Sequence, residues 1–349
     1  MTGQQMQALV TGTPSGGSPA MVKKLIPVPQ PAPNQALVKI SYVAQNPTDI
    51  QSLDSNAFGA DAVLGCDFVG TVEKIGNECS KLAKGDTVAG LIWGGEIKGL
   101  GSYSEYSLAD DNISFRVPKD TSLEEAVTLP LASMTAWLAL FSEESLKIPR
   151  GGGSDVSVLI WGGSSSVGLY AIQIAAIHGF NVITTCSPRH FDLVKSLGAE
   201  HAFNYHDDDV VDCIKKAVPG LEYVFDTIGG KTSSAQASRA IDESGGNLCT
   251  VRPGKANTQD VTKQTKVTDV LVWTAFLKDH QYGSFKWPAN HSDHKLGIEF
   301  FEKLPSWVAE GKLKPNNPQI IPGGLYGVEK GFQLYRDGVI SGTKLVYKL

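Results

Sequence analysis

The 349-residue chain predicts an α/β fold: a doubly wound parallel sheet, with a β-rich segment ahead of it and a strand behind it. Three observations lead there. The apolar run 156–161 is followed by the small-residue turn Gly162-Gly163-Ser164-Ser165-Ser166 and the apolar helical stretch from Val167 to Ala175. Strand-like and helix-like patterns then alternate to about Arg252. Before Tyr106 and at the C-terminus, short alternating strands replace that rhythm.

Taken in order, Ala36-Leu37-Val38-Lys39-Ile40 and Gly70-Thr71-Val72-Glu73-Lys74-Ile75 alternate apolar and polar positions, as half-buried strands do. Six prolines from Pro14 to Pro33 exclude a helix there and predict an edge strand with a loop entry. Lys84-Gly85-Asp86 is a turn feeding another strand. Ser122 and Glu125 have capping-box spacing, and a second helix runs through Met134 to Leu140 after Pro130. Strands are expected at 156–161, 181–185, 201–203, 222–226 and 246–251, with helices between them. Asp207-Asp208-Asp209 suits a solvated helix start, where carboxylates favour the macrodipole, better than a metal site. His280, His291 and His294 lie among Asn, Ser, Asp and Lys and read as a solvated loop. The last residues, 342–349, form a strand that returns to the first domain.

Composition narrows the function. A net charge of −5 without a basic stripe argues against nucleic acid as a partner. No apolar run approaches the ~20 residues that span a bilayer, and the N-terminus lacks a charged-then-apolar signal pattern. The five cysteines are odd in number and scattered, with no C-x-x-C pair, which fits a reducing compartment, the cytoplasm.

The turn after the first strand of the alternating region carries the chemistry. It places backbone N–H groups and a helix N-terminus where a pyrophosphate can sit. Gly163 and Gly168 occupy the first and third positions of G-x-G-x-x-G, and Ser165 replaces the middle glycine, adding a hydroxyl donor. Ser164, Ser166 and Val167 complete the phosphate loop. In NAD-selective sites an acid about 20 residues further on holds the ribose 2′-hydroxyl. Here that stretch is Thr185-Cys186-Ser187-Pro188-Arg189-His190, with no acid before Asp192. Ser187, Arg189 and His190 offer hydrogen bonds to a 2′-phosphate, so the chemistry favours NADP (NADPH when reduced) over NAD.

Several further segments, Asn46-Pro47-Thr48-Asp49, Leu64-Gly65-Cys66-Asp67-Phe68-Val69-Gly70, Pro130-Leu131-Ala132-Ser133-Met134-Thr135-Ala136 and Val224-Phe225-Asp226-Thr227-Ile228-Gly229-Gly230, occur in the same order. Together they make the chain resemble the medium-chain dehydrogenase/reductase superfamily over nearly its whole length. Cys186-Ser187-Pro188-Arg189-His190-Phe191-Asp192-Leu193-Val194-Lys195 looks most like fungal trans-acting enoyl reductases, which serve polyketide synthases. The resemblance implies a discontinuous GroES-like catalytic domain at 1–125 and 282–349, and a Rossmann domain at 126–281. It also implies NADPH-dependent reduction of an α,β-unsaturated, carrier-bound polyketide thioester, with a synthase as partner. A general quinone or alkenal reductase, or a non-redox isomerase or cyclase on the same scaffold, is the alternative.

The zinc-binding members carry Gly-His-Glu where this chain has Gly65-Cys66-Asp67, and the four-cysteine lobe has no counterpart. No metal is therefore expected, and Cys66 reads as a buried packing thiol. Reducing an activated C=C bond needs no Lewis acid, because the conjugated carbonyl accepts the charge. By resemblance Thr135 lies beside substrate and nicotinamide, unless its hydroxyl only bonds the preceding helical turn. Thr48, Asp49, Ile50 and Gln51, with Ile340 and Ser341, flank the cofactor from the catalytic domain. Tyr205 either packs at the adenosine end or is a half-buried strand residue. Trp273 and Phe276 either line the substrate site or pack in a core or subunit interface. Related trans-acting reductases commonly have a lysine where this chain has Gln51. Gln51 still donates a hydrogen bond but cannot act as an acid. Asn56-Ala57-Phe58-Gly59 stands where mitochondrial-type enoyl reductases carry a tyrosine donor, so water is left as the proton source.

Overall fold

The computed structural model describes residues 4–13, 17–282 and 285–349. The N-terminal part forms β1 (Gln5–Gly12), β2 (Ala20–Pro27), β3 (Gln35–Ala44), β4 (Asp67–Ile75), β5 (Thr87–Leu91), β6 (Tyr106–Asp110) and β7 (Ser114–Arg116), with α1 (Pro47–Asp54) after β3. β1 and β2 pair antiparallel over their full length, with Pro19 before β2 and Pro27 closing it. Pro14 falls outside the described residues.

Next come α2 (Leu123–Ala126), capped by the reciprocal Ser122–Glu125 box, and α3 (Pro130–Phe141). Six parallel strands follow: β8 (Ser157–Trp161), β9 (Asn181–Thr185), β10 (His201–Phe203), β11 (Tyr223–Asp226), β12 (Gly246–Thr250) and β13 (Thr265–Asp269). Between them lie α4 (Ser166–Ile177), α5 (Phe191–Ser196), α6 (Val210–Ala217) and α7 (Ser233–Ser238). The spatial order β10-β9-β8-β11-β12-β13 is the doubly wound order, reversing between β8 and β11. β13 is an addition to the predicted strands. It is a polar edge strand, Thr-Lys-Val-Thr-Asp, without the apolar run that marks a central one.

The chain closes with β14 (His280–Tyr282), β15 (Phe285–Trp287), α8 (His291–Ala309), β16 (Pro318–Ile320), α9 (Val328–Arg336) and β17 (Lys344–Lys348). β17 pairs with β3, completing a seven-stranded sheet. The histidines are not in a solvated loop. His280 is a buried strand residue, while His291 and His294 lie in the first turn of α8. The overlooked signal was Asn290, whose side chain caps the Ser292 and Asp293 amides.

Two compact units result: Met1–Leu131 with Trp273–Leu349, and Ala132–Val272. The divisions fall at 131/132 and 272/273, where the sequence had suggested 125/126 and 281/282. Trp273 stacks on Trp93, and Lys278 and His280 pair with Glu96, which ties the segment after β13 to the first unit. The first unit packs around Val38, Phe68, Val72, Tyr103 and Tyr347, the second around Leu159, Ile183, Ile214, Val224 and Leu248. Among the described residues no helix is long and apolar enough to cross a membrane.

Candidate active site

In the second unit, β8 runs into Gly162, whose φ of 89° favours glycine. A Cβ on Gly163 would overlap the Thr184 hydroxyl, and one on Gly168 the Gly162 carbonyl, so both glycines let helix and strand pack closely. The Ser165 Oγ caps α4 by accepting the Gly168 N–H at 2.9 Å. It also lies 2.8 Å from Thr227 Oγ1, which is 2.9 Å from both the Trp161 and the Gly162 carbonyl oxygens. With the Thr227 proton directed at those carbonyls, the proton between the two hydroxyls comes from Ser165. The expected phosphate donor is therefore engaged internally, bridging the strand ends where the sheet order reverses. Ser164, Ser166 and Val167 are half-buried in the same turn.

Asp226, wholly buried at the end of β11, accepts from the Ile228 and Gly229 amides and from Ser233 and Ser234. Arg252 Nε and Asn257 Nδ2 both donate to the Gly229 carbonyl. These contacts shape the loop after β11, within the segment 224–230 that carries part of the family resemblance; the partners Ser233, Ser234, Arg252 and Asn257 lie outside that segment.

After β9, residues 188–190 form one 3₁₀ turn that holds Ser187 and His190 half-buried and Arg189 exposed. Burial, then the Arg189 charge, lowers the pKa of His190. Tyr205, 38% exposed just beyond β10, packs against His206 with the rings tilted and their centroids 4.1 Å apart. Thr135 is buried on α3.

In the first unit, α1 presents two different faces. Asp49 and Ile50 point inward, Ile50 joining the core, so of the four α1 residues named above only Thr48 and Gln51 have accessible side chains. Gln51 Nε2 donates to the Tyr335 hydroxyl at 3.2 Å. Ile340 packs on the same core, and Ser341 is half-buried beside it in sequence. Tyr282 lies with its hydroxyl 3.4 Å from Ser55 Oγ and packs edge-on to Phe58. A phenol thus packs on Phe58 and reaches Ser55, 227 positions before it in sequence, invisible to any local motif. Trp273 is buried against Trp93, and Phe276 lines a cavity of about 390 Å³ with Trp93, Glu96 and Lys278.

Beneath α1 lies a buried polar network. Asp49 accepts from the Asn46 amide (2.8 Å), the Cys66 thiol (3.1 Å) and the Tyr103 hydroxyl (3.0 Å). Burial raises the Asp49 pKa from 3.8 to about 6 despite those three donors, and Asp67 adds repulsion. Burial and the Asp49 charge push the Cys66 thiol up, so it stays protonated. Asp67 receives Lys344 Nζ at 2.6 Å, Asn46 Nδ2 at 2.9 Å and the Leu131 amide at 2.8 Å. Lys344 also donates to Asn46 Oδ1 at 2.9 Å. The packing thiol is therefore more than filler: it is a donor within the network.

Comparison with known proteins places this geometry. Residues 32–119 match the alcohol dehydrogenase GroES-like domain, and 166–272 match the zinc-binding dehydrogenase family. A trans-enoyl reductase of Gibberella fujikuroi is 32% identical, covering 99% of each chain. A zinc-type alcohol dehydrogenase-like protein of Schizosaccharomyces pombe is 31% identical, over 93% of this chain and 94% of its own. The solved quinone oxidoreductase of Coxiella burnetii superposes with a TM-score of 0.74 at 26% identity, covering 99% of this chain and 100% of its own. The chain belongs to the medium-chain dehydrogenase/reductase superfamily, as an oxidoreductase with a GroES-like domain and a Rossmann domain. Within that superfamily it is kin to the trans-enoyl reductases, and its dinucleotide-binding fold takes NAD or NADP.

The zinc of the superfamily's metal-binding members does not suit the residues found here. At the Gly65-Cys66-Asp67 motif the thiol is protonated and bonded to Asp49, and a buried ammonium already neutralises Asp67. A divalent cation prefers deprotonated, open ligands.

Proposed function

We propose that this protein is an NADPH-dependent trans-acting enoyl reductase, reducing the activated C=C bond of a carrier-bound polyketide thioester. The observation that carries this reading is the internal Lys344–Asp67–Asn46 network at the place where a metal-dependent relative needs open ligands. A carbonyl substrate with no Lewis acid loses its electrophile, whereas a conjugated thioester accepts a hydride at the β-carbon by moving charge to its own oxygen. NADPH supplies the hydride when bound. Gly163, Ser164, Ser166, Val167 and the α4 N-terminus are assigned to the pyrophosphate. Ser187, Arg189 and His190 are assigned to the 2′-phosphate, supported by the absence of an acid before Asp192. Pro188 sets that turn, and Tyr205 is placed at the adenosine end. From the other domain Thr48, Gln51, Ile340 and Ser341 contribute, with the Asp49 and Ile50 side chains holding the helix from beneath. Thr135 and Gln51 steady the developing enolate oxygen by donating hydrogen bonds while a proton reaches the α-carbon. The five free cysteines support a reducing, cytoplasmic setting, and the kinship to trans-enoyl reductases, the group the sequence resembles, supports a polyketide synthase as partner.

The test is NADPH consumption with a short enoyl thioester and a free quinone, side by side. Oxidation with the thioester alone supports the proposal. Equal use of both would make it a general quinone or alkenal reductase, and use of neither would point to a non-redox isomerase or cyclase.

A further inference from the structure

Gln51 brings a neutral amide to the place where the proposed reaction needs a hydrogen-bond donor, and the group that holds this amide lies on α9. Gln51 Nε2 donates to the Tyr335 hydroxyl at 3.2 Å, between residues 284 positions apart. Among the described residues no other side chain bonds the Gln51 amide. Both residues are half-buried, neither sealed in the core nor free on the surface.

Tyr335 is held still by its surroundings. Its ring packs against the core of the first unit. Beside it, Arg336 grips both carboxylate oxygens of Asp54 at the end of α1, through Nε at 3.3 Å and through Nη2. One turn before Tyr335, the Gly331 carbonyl accepts from Gln45 Nε2 at 3.1 Å, and the Tyr347 hydroxyl donates to Gln45 Oε1. A Cβ on Gly331 would overlap the Tyr347 oxygen, so glycine is what lets α9 come this close. The Gln51–Tyr335 bond is therefore flanked by two further ties, Gln45 to Gly331 and Asp54 to Arg336.

The shape of an amide gives this bond its meaning. Its two N–H bonds lie in one plane at a fixed angle, so anchoring one sets the direction of the other. An ammonium is not constrained in this way, because its three protons turn about the terminal C–N bond. We infer that Tyr335 is a positioning residue: by accepting one Gln51 N–H it aims the second at the oxygen on which negative charge develops. A phenol oxygen accepts while keeping its own proton, so the role asks for no ionisation. The inference rests on the reductase reading for the task of the second N–H; the bond that orients it is in the structure.

The experiment is steady-state reduction of a short enoyl thioester by the wild type, Tyr335→Phe, Gln51→Lys and the double variant. Tyr335→Phe keeps the packed ring and removes only the oxygen. It is expected to lower kcat about three- to tenfold with KM unchanged, as the loss of one aligned neutral donor does. In the Gln51→Lys background the same change is expected to cost less than about twofold, because a rotating ammonium needs no aiming. An equal loss in both backgrounds means that Tyr335 serves packing alone; it overturns the inference and leaves the reductase reading standing. No loss in either background overturns it as well. Absence of thioester reduction by the wild type sinks the reading, and this role with it. A second readout needs no turnover: the Gln51 side-chain amide signals in ¹⁵N NMR, identified by their absence from Gln51→Lys, should move in Tyr335→Phe. Unmoved signals overturn the inference whatever the activity.

Discussion

Lys344 Nζ lies 2.6 Å from Asp67 Oδ2, with the two side chains 2% and 0% exposed. One residue is on the last strand and the other on β4, 277 positions apart. Their pairing joins the returning C-terminus to the strand that follows Cys66. It also explains how a buried aspartate survives in the core: the ammonium, the Asn46 amide and the Leu131 N–H together satisfy it.

Removing that ammonium should be costly. Lys344→Met leaves Asp67 buried without a counter-charge, and the expected loss is about 3–5 kcal/mol of unfolding free energy. Urea denaturation checks this; a loss below about 1 kcal/mol would falsify the pairing as a stabilising contact.

Asp49 makes a pH prediction. Its pKa is about 6 when folded against 3.8 ordinarily, so the folded state binds the proton more tightly than the unfolded chain. The resulting stability is full below about pH 4 and is lost as pH rises through 6, about 3 kcal/mol at about 1.4 kcal/mol per pH unit. Asp49→Asn, which cannot ionise, should flatten that decline. Denaturant midpoints at several pH values between 4 and 7 decide it, and parallel pH profiles for the two proteins would exclude the assignment.

Arg189 is exposed and adjoins Ser187 and His190 on one turn. Arg189→Ala is expected to weaken NADPH binding about ten- to a hundredfold, the worth of one hydrogen bond between charged groups, and to leave NADH unchanged. Fluorescence titration with both cofactors measures the ratio; an unaltered preference removes Arg189 from the site.

Gln51 donates to Tyr335 through its amide nitrogen, a bond that an ammonium can also make. Gln51→Lys should preserve or raise enoyl reduction. Steady-state kcat/KM with an enoyl thioester is the readout, and abolished turnover in a folded variant contradicts the role given to position 51.

The sequence by itself determined the doubly wound sheet, the glycine turn and the acid-free second strand. Those features are local: strand–turn–helix order, close-packed glycines and the residues after β9 are all encoded within about thirty contiguous positions. The capping box at Ser122 was equally readable, since its partners are three residues apart. Tertiary structure alone decided what the polar residues do. Ser165 looked like a phosphate donor until Thr227, 62 residues later, was found beside it. Cys66 reads as a packing thiol until its S–H and the Tyr103 hydroxyl are seen to converge on the Asp49 carboxylate. His280, written among loop residues, became half of a buried pair with Glu96 only when β14 packed against Trp93. The physical reason is the same each time. A hydrogen bond depends on direction and distance between groups that only folding brings together, whereas helices, strands and tight turns follow from the short-range periodicity of the chain.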